Sequence, residues 1–343
     1  MAKTVKFNGQ SVCILILNWN GWEDTIACLE SVYRSTYSNY AVVVIDNGSS
    51  DNSVAKIKNW ADGKLGVTID YSHPCFSEHV INISMPLDYI EYSRDTIDAE
   101  RELDSAPLVI IKNGENLGYA GGNNVGIRYA LTCGFDYVLI LNNDTVIHCD
   151  CVRNLIKRSH IKKRLGVTGG KIFFYQDPSR LQSVGAKMNL HTGINPAIGN
   201  GEKDRGQYDD LSGIDYVPGA MMLISRAVFE EIGLFDEDFF LYGEEVDFCY
   251  RARIAGFDIQ IEPEARIWHK VSASSGSGFS ETYLYYSTRN SLLFMKKHYR
   301  SSLVIYFWPR LLRILIKTLQ CFKRGEPYKA RYLVMGMIDG LSK

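Results

Sequence analysis

Residues 11–51 read SVCILILNWNGWEDTIACLESVYRSTYSNYAVVVIDNGSSD. Residues 11–20 and 40–51 each open as an unbroken apolar run and end in amides and acids. Between them, residues 22–35 put Ile26, Leu29, Val32 and Tyr33 on one helical face. After Asp51, NSVAKIKNWA predicts a second short helix. Strands that are apolar along their whole length and alternate with helices belong to a mostly parallel sheet covered on both faces. The fold class is therefore α/β, Rossmann-like, with helices flanking the sheet. In such sheets ligands bind beyond the carboxyl ends of the strands. The polar tails NWN (Asn18 and Asn20), DNGSSD and NNDT are thus expected to converge on one cleft.

Outward from this unit the alternation continues. PLVIIKN (107–113) and DYVLILNND (136–144) read as strands, as do GVTGGKIFF (166–174) and DYVPGAMMLISR (215–226), with AVFEEIGLFD (227–236) a helix. The stretch KNGENLGYAGGNNVG (112–126) holds five glycines and four asparagines. It reads as a flexible, amide-rich loop that runs into a helix over 123–134. Residues 61–106 break the alternation with the acidic DYIEYSRDTIDAERELD and read as an insertion, a solvated surface excursion.

Composition sets wide limits. The 343 residues are 46% hydrophobic and 22% charged, with a net charge of −1. No global basic field points to nucleic acid. The eight cysteines form no CxxC, and most sit in apolar runs, so they read as small buried hydrophobes in a reducing compartment. The N-terminus lacks the apolar core and cleavage site of a signal peptide, and no uncharged stretch is long enough to span a bilayer. A cytoplasmic chain is expected. From Tyr283 the character changes. In SSLVIYFWPRLLRILIKTLQCFKR (301–324), Arg310, Arg313, Lys317 and Arg324 recur at helical spacing among apolar residues. This pattern predicts a helix that starts or kinks at Pro309. It either lies on an anionic membrane surface or packs on the main domain with its basic edge in water. The division expected is a catalytic domain over 1–282 and a helical, membrane-associating segment over 283–343.

Three clusters can carry chemistry. Asp46, Asn47 and Asp51 follow a strand and can bind a base or ribose edge, although an Asx turn would use the same residues. Asn142, Asn143 and Asp144 end a central strand. One carboxylate beside amides suits a Mg²⁺ or Mn²⁺ ion that takes most of its oxygens from phosphates and water; here too an Asx turn is the simpler alternative. FLYGEEVDFCYRARIAGFDI (240–259) gathers Glu244, Glu245 and Asp247 at a helix start, with Val246, Cys249, Tyr250 and Ile254 as its apolar face. The helix dipole favours acids there, but three acids after an aromatic run also offer a general base. ARIWHK (265–270) places His269 at a strand end, ahead of the small-residue stretch SASSGSG.

In order and spacing, ILNWNGWEDTIACLESV, VVIDNGSSDNS, NLGYAGGNNVGI, LILNNDTVI, the stretch from VPGAMML to ARIAGF, and ARIWH resemble glycosyltransferase family 2, of GT-A fold. The resemblance runs from about Ser11 to Ser280, the 61–106 insertion excepted. NLGYAGGNNVG, LNNDT and YYSTRNSLLFMKKH are similar to the rhamnosyltransferase-like branch. The resemblance implies a nucleotide-sugar donor (dTDP-rhamnose or a UDP-sugar) and a glycan or lipid-linked glycan acceptor. It makes Asp144 the metal ligand of a DxD-type motif whose first acid is here an amide, with His269 as a second ligand. It puts Asp46 and Asn47 at the nucleobase. Asn116, Gly118, Gly121, Gly122, Asn123 and Asn124 fall beside the nucleotide-sugar pocket. Glu245, second of the acidic pair, takes the place of the catalytic base, with Glu244 in reserve. A nucleotidyltransferase, or a catalytically inactive binding module of the same fold, are the rival readings. The first would normally carry a Gly-rich, basic loop after the first strand, and NWNGWED has neither a glycine run nor a base.

Overall fold

A computed structural model describes residues 9–67, 70, 72–77, 82–100, 102–159, 164–193, 195–270, 279–299 and 303–342. The first half alternates as its apolar runs dictate. β1 (Val12–Asn18), α1 (Trp22–Val32), β2 (Tyr40–Asp46) and α2 (Ser53–Ala61) come first. The short α3 (Pro74–Ser77), β3 (Tyr89–Ser93) and α4 (Arg94–Ala99) follow, then β4 (Leu108–Lys112), α5 (Gly118–Thr132) and β5 (Tyr137–Asn142). β1 pairs in parallel with both β2 and β5, and β4 lies parallel to β2. Side chains of consecutive strand residues point to opposite faces. Accordingly Cys13, Leu15, Val43 and Ile45 join one buried cluster with α5. Val12, Ile14, Ile16, Val42 and Val44 join another with α1 and α2.

The second half is mixed. It comprises β6 (Thr145–Ile147), α6 (Cys151–Ser159), β7 (Leu165–Phe174), β8 (Leu181–Ser183), β9 (Met221–Ser225), α7 (Arg226–Ile232), α8 (Glu244–Ile254) and β10 (Asp258–His269). The sheet order is β3-β4-β2-β1-β5-β9-β7-β10-β6, with β8 paired to β7. β9 runs antiparallel to β5 and β7, and β6 antiparallel to β10.

Two expectations change here. Residues 61–106 are more than a surface excursion. β3 is the parallel edge strand beside β4, and Ile97 of α4 is buried in the core. Cys75 and Phe76 of α3 pack with Phe173 and Trp268. Nor is 112–126 a flexible loop: its second half is the start of α5. The glycines let that helix sit close on the sheet. A Cβ on Gly122 would lie 2.6 Å from a Leu17 methyl, and one on Gly126 2.9 Å from an Ile45 methyl. Glycine inside a helix costs about 1 kcal/mol against alanine, which the close approach of helix to sheet offsets.

The C-terminal helices are α9 (Glu281–His298), α10 (Leu303–Lys323) and α11 (Ala330–Ser342). α9 docks on the loop before α8: the Asn290 amide donates to the carbonyls of Phe239, Leu241 and Tyr242. The expected boundary at 282/283 falls in the first turn of α9. α10 continues through Pro309 instead of starting there. Among the described residues no helix is long and apolar enough to cross a membrane.

Candidate active site

Asp144 and His269 are 125 positions apart, and the sheet brings them together. β6 pairs antiparallel with β10 in the register His269↔Thr145, so the residue before β6 meets the last residue of β10. His269 Nε2 lies 3.0 Å from a carboxylate oxygen of Asp144. Nδ1 lies 2.8 Å from Oε1 of Gln182 on β8. An amide oxygen can only accept, so Nδ1 carries the proton in this arrangement. Nε2 is left to face the Asp144 carboxylate, where the two side chains could share a divalent cation. A second oxygen partner that fixes the ring in this way is the usual support of a metal-binding histidine. One carboxylate and one imidazole leave most coordination positions to phosphate oxygens and water, which fits Mg²⁺ or Mn²⁺. Gln182 was not legible in the sequence: it stands in an irregular stretch with no motif around it.

The tails of β1 and β2 are tied to each other. The Asn18 amide donates to Asp46 Oδ1 and to Ser49 Oγ, both at 3.1 Å, and Asn18 Oδ1 accepts from Thr25. Asp46 Oδ2 accepts from the Ser49 backbone N–H. Asn20, at φ +52°, accepts from the Ser50 N–H. Beside them Trp19 is exposed. Asn143 turns back to Gly21 and Thr25, whereas the side chain of Asn142 is only half-buried at the end of β5.

Asn47, expected at the nucleobase, and the residues expected beside the nucleotide-sugar pocket have structural partners. Asn47 is buried. Its amide donates to Asn116 Oδ1 and the Gly118 carbonyl, and its oxygen accepts from Asn113 and the Leu117 N–H. Asn123 donates to the Tyr119 carbonyl one turn back. Asn124 bridges to the Phe235 carbonyl and Glu237, and accepts from the Phe235 N–H. Gly118, at φ +72°, faces Phe240, where a Cβ would lie 2.5 Å from the ring. Gly121 packs over Leu117 and Glu237. Asn47 thus ties the end of β2 to the start of α5, and Asn124, Gly118 and Gly121 seat α5 against the segment before α8. The side-chain groups of Asn47 and Asn124 are engaged by the protein, whereas Asn123 Oδ1 is buried without a hydrogen-bond partner.

The acidic cluster divides. Glu245 borders a cavity of about 340 Å³, together with Tyr216, Tyr242, Tyr283, Asn290 and Arg310. Burial pushes its carboxyl up, against the backbone N–H groups of Glu245, Gly243 and Val246. Glu244 is 4% exposed, and one of its oxygens is buried without a hydrogen-bond partner. Burial, then the neighbouring Glu245, raises its pKa well above the usual carboxylate range. Asp247 behaves in the opposite way. Burial opposes its charge, but hydrogen bonds from His298 (2.6 Å) and Arg251 (2.7 Å) outweigh that and hold its carboxyl low. Arg251 also caps the Ile232 and Leu234 carbonyls. Asp247 therefore clamps α8 to α9 and to the end of α7, and does not face the cavity that Glu245 lines. Ile254, expected on the apolar face of α8, is 70% exposed; Phe248 and Ala252 are buried instead.

Two predictions arise from this division. Asp247→Asn removes the carboxylate that Arg251 and His298 share, and loss of one partner of a buried ion pair costs about 3–5 kcal/mol. Urea unfolding is expected to show that loss; a variant of native stability that lacks activity would return Asp247 to the chemistry. For Glu244 the folded pKa lies above the unfolded one. The stability it contributes is complete below the unfolded carboxyl pKa of about 4.3 and is lost as pH rises through the folded value. Glu244→Gln is thus expected to melt above the wild type near neutral pH, with the difference closing toward about pH 4. A constant offset across that range would overturn this account.

The C-terminal cations also depart from expectation. Arg310 is 3% exposed, and Arg313 and Lys317 are half-buried. All three turn toward the protein, while Ile305, Leu312, Leu315, Ile316 and Leu319 are exposed. Phe307 packs inward, and Arg324 sits 4.1 Å from the Phe279 ring centre. The outward face of α10 is thus largely apolar, and among the described residues its exposed cations are confined to the C-terminal end, at Lys323 and the following Arg324.

Comparison with known proteins agrees with this architecture. The chain is 36% identical over 152 residues to the low-salt glycan biosynthesis hexosyltransferase Agl10 of Haloferax volcanii, covering 43% of this chain and 47% of that protein. It is 26% identical over 199 residues to the dTDP-rhamnosyl transferase RfbF of Shigella flexneri, covering 54% and 62%. The chain thus spans about half to two thirds of the length of these relatives. Among solved structures it superposes on the mannosyltransferase PcManGT of Pyrobaculum calidifontis, in complex with GDP-Man and Mn²⁺, with a TM-score of 0.54 and 13% identity over 99% of this chain and 90% of that one. The fold is GT-A. The model described as "Glycosyl transferase family 2" matches residues 11–73, and "Glycosyltransferase like family 2" matches 78–287. Two models of one family meet almost end to end across the sheet, and the chain belongs to glycosyltransferase family 2.

Proposed function

We propose that this protein is an inverting glycosyltransferase that moves a hexose from a nucleotide-diphospho-sugar to a glycan or lipid-linked glycan acceptor. The observation that carries the reading is the Asp144–His269 pair, oriented by Gln182, on the same sheet whose α8 presents Glu245 to a cavity. The nucleotide lies over the tied tails of β1 and β2, near Asp46 and the exposed Trp19. Asp144 and His269 would hold the divalent ion. Bound there, it would offset negative charge on the diphosphate. Glu245 accepts the proton of the acceptor hydroxyl as its oxygen bonds to the anomeric carbon. The bond from that carbon to the diphosphate oxygen breaks on the opposite side, which inverts the centre. A carboxyl raised by burial is a better base than an ordinary one.

Rhamnose from dTDP-rhamnose is the first-choice sugar, in line with the dTDP-rhamnosyl transferase relative. The other similar protein, a hexosyltransferase, keeps UDP- and GDP-sugars in the test. The apolar outward face of α10 supports a position at the inner face of the cell membrane, where a lipid-linked acceptor would be met. Thermal shift against dTDP, UDP and GDP, with Mg²⁺ or Mn²⁺ and with chelator, tests the reading. One nucleotide is expected to raise the melting temperature only with metal, because a ligand of the native state alone adds stability. No shift with any of the three would overturn it.

A further inference from the structure

The three cations on the inner face of α10 form a cluster that the donor chemistry leaves unused. The Arg310 guanidinium donates to the carbonyls of His191, Ser291 and Tyr306. Arg313 donates to the Gly193 carbonyl at 2.6 Å. Lys317 Nζ lies 4.7 Å from the Tyr283 ring centre and 3.4 Å from Ser287 Oγ. Every one of these neighbours is a carbonyl, a hydroxyl or a ring. Among the described residues, no carboxylate stands within ion-pair distance of any of the three.

Such a cluster is costly. A buried charge without a counter-charge loses several kcal/mol of hydration, and here the charges also repel one another. Burial, with Arg313 next in effect, lowers Arg310 to about 10 and Lys317 to about 8. Elsewhere the fold shows the usual remedy: Lys171, as buried as Arg310, holds both Asp204 and Asp209. On α10 that remedy is missing. Arg310 and Arg313 border the same cavity as Glu245, and Lys317 stands one turn further along the helix.

We propose that this side of the cavity binds a phosphate or diphosphate group of the acceptor, held by Arg310, Arg313 and Lys317, while the hydroxyl to be glycosylated faces Glu245. The inference rests on the reading of Glu245 as the acceptor-side base. Three positive charges match a phosphoryl group of two or three negative charges better than a single carboxylate. Guanidinium forks also suit its oxygens. The opposite face of the same helix exposes Trp308, Leu312, Leu315, Leu319 and Phe322. A phosphate that carries a lipid chain would thus find its charge and its chain served by one helix.

The test uses the full chain in chelator, so that the Asp144–His269 centre cannot retain phosphate through metal. Binding of inorganic pyrophosphate and of geranyl diphosphate is measured by calorimetry. Both are expected to bind the wild type and Asp144→Asn alike. The Arg310→Gln/Arg313→Gln variant is expected to lose about tenfold to a hundredfold in affinity, the scale of charge-assisted hydrogen bonds. Should that variant not fold, Lys317→Met alone is expected to weaken pyrophosphate several-fold while raising the melting temperature. Tighter binding of geranyl diphosphate than of pyrophosphate identifies a lipid-borne phosphate; equal binding identifies a soluble one. The proposal is overturned if the wild type ignores both probes in chelator, or if binding survives loss of the cations. Because the readout needs no sugar transfer, a failed donor assay does not decide it, and metal-dependent nucleotide binding by the arginine variant reports on the donor site separately.

Discussion

Glu245→Gln is expected to lower sugar transfer by about 10²–10⁴-fold, the usual worth of a positioned general base, while the protein still binds its nucleotide with metal. Glutamine keeps the shape of the side chain and its contact with the Gly243 N–H but cannot take a proton. The pH profile gives the sign independently. The base must be ionised, so kcat/KM rises as pH climbs through its pKa. Burial lifts that pKa above the ordinary carboxylate value, so the acid limb is expected above about pH 4.3 and is expected to vanish in the variant. A profile with its limb at the ordinary value, or a variant that transfers at the native rate, moves the base elsewhere. Glu244→Gln is expected to leave transfer largely intact, since Glu244 is not among the residues that line the cavity.

Asp144→Asn is expected to abolish metal-dependent donor binding and to reduce transfer on the order of 10²–10³-fold. The fold should remain, because asparagine can still meet His269 by a neutral hydrogen bond. Chelator added to the wild type should reproduce the defect, and Mn²⁺ should restore the wild type but not the variant. Gln182→Ala supplies the intermediate case. Without its amide oxygen the ring of His269 is free to choose the other tautomer, and metal affinity is expected to fall about 10–100-fold. Titration of Mn²⁺ by electron paramagnetic resonance measures all three. Equal metal affinity in wild type and Asp144→Asn would show that NNDT is only a strand-ending turn.

The continuous apolar runs at 12–18, 40–46, 108–112 and 137–142 were enough to read a covered sheet, because a strand buried on both faces has no polar side to display. The strand tails were legible for the same reason, since acids and amides abruptly end those runs. Asp144, His269 and Glu245 were reached from the residues together with a family resemblance. The glycine- and asparagine-rich stretch at 112–126 misled, because glycine serves a mobile loop and a tightly packed helix alike. The packing of α5 on the sheet distinguishes the two: a Cβ on Gly122 would lie 2.6 Å from a Leu17 methyl. The 61–106 segment hid an edge strand, since YIEYS is half-buried and therefore only weakly patterned.

The helical spacing of Arg310, Arg313 and Lys317 was likewise determined by the sequence, but not which way they face. Periodicity defines two sides of a helix and assumes that the polar one meets water. On α10 the reverse holds: carbonyls of Gly193, His191 and Ser291 receive the cations, and the apolar side is left outside. Those acceptors lie 19 to 120 positions away in the chain. The division among the three acids of α8 has the same origin. Glu244, Glu245 and Asp247 are equivalent as letters at a helix start. The contact of Asp247 with His298, 51 positions on, and the cavity beside Glu245 separate an anchoring acid from one that lines a cavity. Local composition thus determined the sheet and its polar edge, whereas charge pairing and burial, which depend on groups distant in the chain, were decided only by the tertiary structure.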